Sequence, residues 1–228
     1  PTWRNPYSPT LACDSIRRHS AVRHEIVVFF NEQDEACKRW AAGRDVVCRG
    51  GSANLGVCGA VNRGVAAASQ EVICFLNDDM VVLPGWDMAL QPYLDMGAPV
   101  WLSGTAVEAG KATGCYIGGC DYGASPQTFQ EDRLLAEYER LKRPYNVVST
   151  WTPIVMYRRD WRAVEGFDER YFPGNGSDPD LAMKMYRHGC RRFIGVGTSL
   201  VYHFSRRTIS RFDRSATVDP RALFREKW

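Results

Sequence analysis

The chain has no run of about 18 apolar residues, so no membrane-spanning helix is expected in its 228 residues. None of its eight cysteines forms a Cys-x-x-Cys pair, which argues against a zinc ribbon or a thioredoxin-like site. Cys58 and Cys74 lie within apolar helix and strand patterns, where a thiol behaves as a small hydrophobe. Cys115 and Cys120 flank Tyr-Ile-Gly-Gly and are the one pair whose spacing suggests a disulfide. All eight are read as reduced, in a cytoplasmic protein. The excess of one charge sign is small too: the net charge of +3 gives no argument for a nucleic-acid surface. Arg206, Arg207, Arg211 and Arg214 do gather near the end, as a solvated face or as a patch for anionic lipid or a phosphorylated acceptor. Peripheral association with the inner face of a membrane is therefore left open. Repeats, low-complexity tracts and linkers are absent, and residues 1–228 read as one domain.

What is present is an abrupt change of character. Glu71-Val-Ile-Cys-Phe-Leu-Asn77-Asp78-Asp79 is an apolar run of strand length that ends in an amide and two adjacent carboxylates. A buried strand does not tolerate unpaired charge, so the acids belong just past its end, at the carboxyl edge of a sheet. Ligands bind at that edge in open α/β sheets. Two carboxylates there suit a hard divalent cation that carries phosphates with it. The plainer alternative is a polar turn built by Asn77, Asp78 and Asp79.

The surrounding pattern is α/β. Strands are expected near 24–30, 45–48, 100–103 and 154–157, with helices at about 9–19, after Asn54, at 127–143 and at 177–188. Ser125 and Pro126 are expected to open the helix at 127, and Pro144 to close it. Ser177 is expected to cap the next helix, with Asp180 completing a capping box and Gly189 as its stop.

Five motifs then follow one another in a distinctive order. Asn54-Leu-Gly56 precedes a small-residue helix that runs through Asn62, and Asn77-Asp78-Asp79 follows a strand. Gly166-Phe167-Asp168-Glu169 comes next, then Gly176-Ser177-Asp178-Pro179-Asp180-Leu181, and finally His203. In that order the chain resembles the inverting family 2 glycosyltransferases of GT-A fold, from Pro1 to about His203. The resemblance implies the nucleotide-diphospho-sugar transferase fold, a single mostly parallel sheet flanked by helices. It also implies a metal-dependent transfer of sugar from a nucleotide-diphosphate donor to a hydroxyl of a glycan or lipid-linked glycan, in cell-surface polysaccharide synthesis.

Carried over residue by residue, the resemblance makes Asp178 the catalytic base and Asp79 a ligand of Mg²⁺ or Mn²⁺, with His203 either a second ligand or structural. Asn77 and Asp78 fall near ribose and phosphate, with Asn77 in place of the usual first Asp. Ser177 stands where the family usually has Glu. Thr2, Asn31, Asn54, Gly56 and Asn62 are expected on the donor side, although Phe30 occupies the position of the usual base-reading acid. Trp86, Trp151, Asp168 and Glu169 are weaker expectations for the acceptor side; core packing accounts equally well for both tryptophans. In the family, Pro1-Thr2-Trp3 would follow the first β-strand. The implied chain is a fragment lacking that strand, with a gap or a rearranged pairing expected beside residues 26–29. Two alternatives compete: a catalytically silent sugar-nucleotide or glycan-binding module, which has no need of Asp178, and a related nucleotidyltransferase, whose Gly-rich loop with Lys is not found.

Overall fold

The computed structural model describes residues 1–3, 7–33, 35–94, 97–110, 114–204 and 218–228, and the arginines at 206, 207, 211 and 214 lie outside them. Two sheets form. The smaller is wholly parallel, in the order β1 (Thr2–Trp3), β2 (Val27–Asn31), β3 (Val47–Gly50). The larger runs β4 (Val72–Phe75), β9 (Ile154–Tyr157), β6 (Trp101–Val107), β10 (Phe193–His203), β5 (Met80–Val82). Two short strands, β7 (Tyr116–Ile117) and β8 (Val147–Val148), attach to β6 and β10. The α/β architecture agrees with expectation, but the single mostly parallel sheet does not. In the larger sheet only the β6–β10 and β6–β7 pairs are parallel. The division arises because β4 pairs with β9 on one edge and no described strand joins its other edge to β2.

Helices α1 (Tyr7–His19), α2 (Glu35–Ala41) and α3 (Gly56–Ala67) alternate with the first strands. The short α4 (Trp86–Leu90), α5 (Glu131–Leu141), α6 (Arg158–Ala163), α7 (Ser177–Arg187) and α8 (Pro220–Lys227) follow. None of the described helices is long and apolar enough to cross a membrane. The main core packs Cys58, Val61 and Val65 of α3 with Ile73 and Phe75 of β4 and Leu181 and Met185 of α7.

Two helix starts differ from expectation, each for a local reason. Helix α5 begins at Glu131, not at 127, because Ser125 and Thr128 close a turn on one another: the Thr128 N–H donates to Ser125 Oγ at 3.2 Å. Such side-chain bonds offer the backbone an alternative to helix. Ser177 does not cap α7. That role falls to Gly176 at φ 82°, while the Ser177 hydroxyl donates to the Gly174 carbonyl at 2.7 Å. A glycine at a left-handed φ turns the chain without the Cβ clash that another residue would meet.

Register positions the chemistry. Antiparallel pairing sets His203 of β10 opposite Met80 of β5, and the Phe204 N–H donates to the Asp79 carbonyl at 3.0 Å. Parallel pairing sets Tyr202 beside Val107, the last residue of β6, so Glu108 emerges next to His203. The C-terminal helix α8 belongs to the main core through its buried Leu223. Leu223→Ala should cost about 2–5 kcal/mol of stability. Urea denaturation reads this directly, and an unchanged midpoint would mean that α8 does not dock.

Candidate active site

Three side chains meet at the end of β10. His203 Nε2 lies 3.5 Å from Asp79 Oδ1, and His203 Nδ1 lies 3.2 Å from Glu108 Oε2. Burial alone would lower the imidazole pKa, but the Asp79 and Glu108 carboxylates outweigh it and raise it. Glu108 had no sequence signal: it stands apart from every motif and reaches the site only through the β6–β10 register.

Asp178 sits in the first turn of α7 and makes no hydrogen bond or ion pair among the described residues. Burial pushes its carboxyl up to about 7, with no charged partner contributing. A base poised near neutral pH is what proton abstraction from a hydroxyl needs. Tyr116 links the two halves of the site. Its phenol is raised by burial and then by Cys115, Glu108, Asp178 and Asp79, so it feels the charge of all three acids. Its ring lies 6.5 Å from that of His203 and 6.4 Å, edge-on, from that of Trp151.

The neighbouring Asp180 is different. It is fully buried and neutralised: Lys227 Nζ lies 2.8 Å from its Oδ1, and Trp228 Nε1 donates to it at 2.8 Å. Asp168 is held by Arg170 and Lys227, whose bonds keep its carboxyl well below the usual carboxylate range. Glu169 pairs with Arg63 and accepts from Asn62. The acids expected on the acceptor side, Asp168 and Glu169, are thus engaged in holding α8 and α3.

The donor-side residues divide in the same way. Thr2 bonds Asp78 through its side chain, and burial and the adjacent Asp79 push Asp78 up to about 6. Asn77 Nδ2 points to Thr152 Oγ1 at 3.5 Å. Asn31 spends both ends of its amide on the α3 entry: Oδ1 accepts from the Leu55 N–H at 2.9 Å, and Nδ2 donates to the Gly56 carbonyl at 3.3 Å. The Gly56 N–H donates to Asn54 Oδ1 at 2.9 Å. Gly56 itself has φ 67°, and a Cβ there would stand 2.9 Å from the Phe172 ring, so no other residue fits without strain. Asn62 is also consumed, since it bonds both the N–H and the carbonyl of Phe167. Asn31 and Asn62 are therefore braces of the site wall, because each amide is satisfied by backbone. Trp86 is core: it is 5% exposed and donates to Ser20 Oγ at 2.9 Å. Trp151 is half exposed beside Tyr116.

Among the described residues, no three His, Cys, Asp or Glu side chains form a complete metal cage. Asp79 and His203 offer one carboxylate and one imidazole nitrogen. That donor set suits Mg²⁺ or Mn²⁺ when phosphate oxygens and water complete the shell. Glu108 on the far imidazole nitrogen is the outer partner that such a histidine ligand usually carries.

A strand ending in acids, a poised carboxylate at a helix start and a histidine returning from the last strand agree with the sequence family. Residues 12–164 match glycosyl transferase family 2, and the chain belongs to that family. The fold is shared with solved glycosyltransferases. GalNAc-T7, solved with UDP, GalNAc and Mn²⁺, superposes with a TM-score of 0.61 at 15% identity, over 84% of this chain and 40% of that one. Mannosyltransferase PcManGT from Pyrobaculum calidifontis, in complex with GDP-Man and Mn²⁺, gives 0.59 at 15% identity, over 91% and 56%. S. aureus TarS gives 0.63 at 13% identity, over 99% and 37%. The chain thus spans 37–56% of the length of these three structures. No curated protein matches it in sequence.

Glu108→Ala leaves His203 without its outer partner. Affinity for Mn²⁺, measured by calorimetry with UDP or GDP present, should fall by about 10–100-fold. Wild-type affinity in that variant would remove Glu108 from the site.

Proposed function

We propose that the chain transfers a sugar, with inversion, from a nucleotide-diphosphate donor to a hydroxyl of a glycan or lipid-linked glycan. The observation that carries this reading is Asp178, a half-buried carboxyl with no hydrogen bond or ion pair among the described residues, which desolvation raises to about 7 while the acids around it are paired. It shares the surroundings of Tyr116 with Asp79. Deprotonated Asp178 accepts the proton of the acceptor hydroxyl as that oxygen bonds to the anomeric carbon. The bond from that carbon to the diphosphate oxygen breaks, and its electron pair leaves with the diphosphate. One base and one displacement give inversion.

Asp79 and His203 would hold the divalent cation, Mg²⁺ or Mn²⁺, which neutralises charge on the departing diphosphate. Asp78, Asn77, Thr2 and Asn54 line the donor side of the same edge. Asp78, raised to about 6, carries less negative charge against phosphate at lower pH than an ordinary aspartate does. Trp151, half exposed and edge-on to Tyr116, offers a platform for the acceptor sugar. The UDP and GDP-Man bound by the neighbouring structures support a nucleotide donor. The acceptor class, and with it a role in surface polysaccharide synthesis at the membrane's inner face, rests on the family resemblance.

The pH dependence follows from Asp178. Below about 7 the carboxyl is protonated and cannot accept a proton, so transfer should rise with pH and level off above that value. Asp178→Asn should bind nucleotide normally, lose that ascending limb and lower transfer by roughly 10²–10⁴-fold. Near-normal transfer in this variant, with a comparable loss in Asp180→Asn, would move the base to the other carboxylate.

A further inference from the structure

Tyr116 is fixed by its backbone and ring, while its hydroxyl is left unused. Its strand β7 pairs with Ala106 and Val107 at the end of β6. Arg143 braces the same stretch: Nη1 donates to the Gly114 carbonyl at 2.8 Å and Nη2 to the Tyr116 carbonyl at 3.0 Å. The half-buried ring neighbours those of His203 and Trp151, and the hydroxyl makes no hydrogen bond among the described residues. Trp151 is placed in the same manner. Its carbonyl accepts from Ser103 Oγ at 2.6 Å, and its N–H donates to Ser149 Oγ at 3.3 Å. Ser103 is itself buried in β6 and accepts from Trp101 Nε1 at 3.1 Å. The backbone of Trp151 is thus tied to the sheet while half of its side chain meets solvent, and its indole N–H makes no hydrogen bond among the described residues. An indole held half in water forgoes burial that would stabilise the fold, which leaves its surface available to a ligand. The next residue, Thr152, meets Asn77 Nδ2 at 3.5 Å, so this stretch also borders the acids that follow β4.

Resting on the transfer reading above, we propose that Tyr116 and Trp151 form a corner that seats a neutral sugar ring of the acceptor, with the Tyr116 hydroxyl bonded to a ring hydroxyl. The acceptor is then a glycoside at its reacting end, not a lipid phosphate. The two rings stand at 74° with centroids 6.4 Å apart, so a pyranose whose C–H face packs on the indole meets the phenol at its edge. Few polar groups on an aromatic wall are the usual composition of a site that orients a small polar ligand. Charge decides against a phosphate. Tyr116 feels Glu108, Asp178 and Asp79, and no cation contributes to the raised carboxyl of Asp178. Arg143 spends its guanidinium on backbone carbonyls, and His203 is already shared between Asp79 and Glu108. An anionic acceptor would face carboxylates of its own sign here, whereas a neutral hydroxyl-rich ring would not.

Saturation-transfer NMR with Mg²⁺ and UDP or GDP present tests this on the methyl glycosides of glucose, galactose, mannose and N-acetylglucosamine, with farnesyl phosphate as the lipid-phosphate probe. At least one glycoside should bind the wild-type chain, and farnesyl phosphate should not displace it. Tyr116→Phe keeps the ring contacts and should weaken that glycoside about 3–10-fold, the effect of one lost hydrogen bond. Trp151→Ala should weaken it at least tenfold, while nucleotide affinity in the same samples stays at the wild-type level. No glycoside bound, displacement by farnesyl phosphate, or glycoside affinity unchanged in either variant would each overturn the proposal. A wild-type chain that binds a glycoside through both rings but no nucleotide would uphold the corner and strike the donor reading instead.

Discussion

A carboxylate taken out of water must meet a cation or several donors, or give up its charge. The acids of this chain are distributed around that constraint. Asp180 meets Lys227 and Trp228, Asp168 meets Arg170 and Lys227, and Glu169 meets Arg63. Asp79 shares His203 with Glu108. Only when these are accounted for does Asp178 stand apart, half-buried and raised by desolvation to about 7. The C-terminal helix therefore contributes to the site without touching it. By neutralising Asp168 and Asp180 it fixes the start of α7, from which Asp178 projects.

The same constraint explains where the strands stop. β4 is apolar through Phe75, and charge begins only past its end, at Asp78 and Asp79. β10 is the longest strand, and its last residue, His203, is carried to Asp79 by pairing with β5. The site is thus built on strand ends held by a packed core rather than on loops alone. That favours a fixed geometry for the side chains gathered there.

Much of this was legible in the sequence. The junction of apolar run and acids is where Asp79 lies, just past β4, and His203, the last motif in the chain, is the side chain that β10 brings to it. Contacts made by sheet register were not legible, and Glu108 is the clearest case. The partners of the amides were not legible either. Asn31 and Asn62 have the right chemistry for a sugar nucleotide, and each also holds backbone, of Leu55 and Gly56 and of Phe167. Ser125 and Ser177 read as helix caps because hydroxyls favour that role. In each case a nearer backbone or hydroxyl partner claimed the side chain. Among the described residues no strand joins β2 to β4, so the strands form two sheets.

The central claim is that cation, diphosphate and protein meet at Asp79 and His203. Calorimetric titration of UDP and GDP, with and without Mn²⁺, into the wild-type chain and Asp79→Ala addresses it most directly. Mn²⁺ should tighten nucleotide binding at least tenfold in the wild type and leave Asp79→Ala unaffected. Equal affinity with and without Mn²⁺ in the wild type, or an undiminished Mn²⁺ effect in Asp79→Ala, would contradict it.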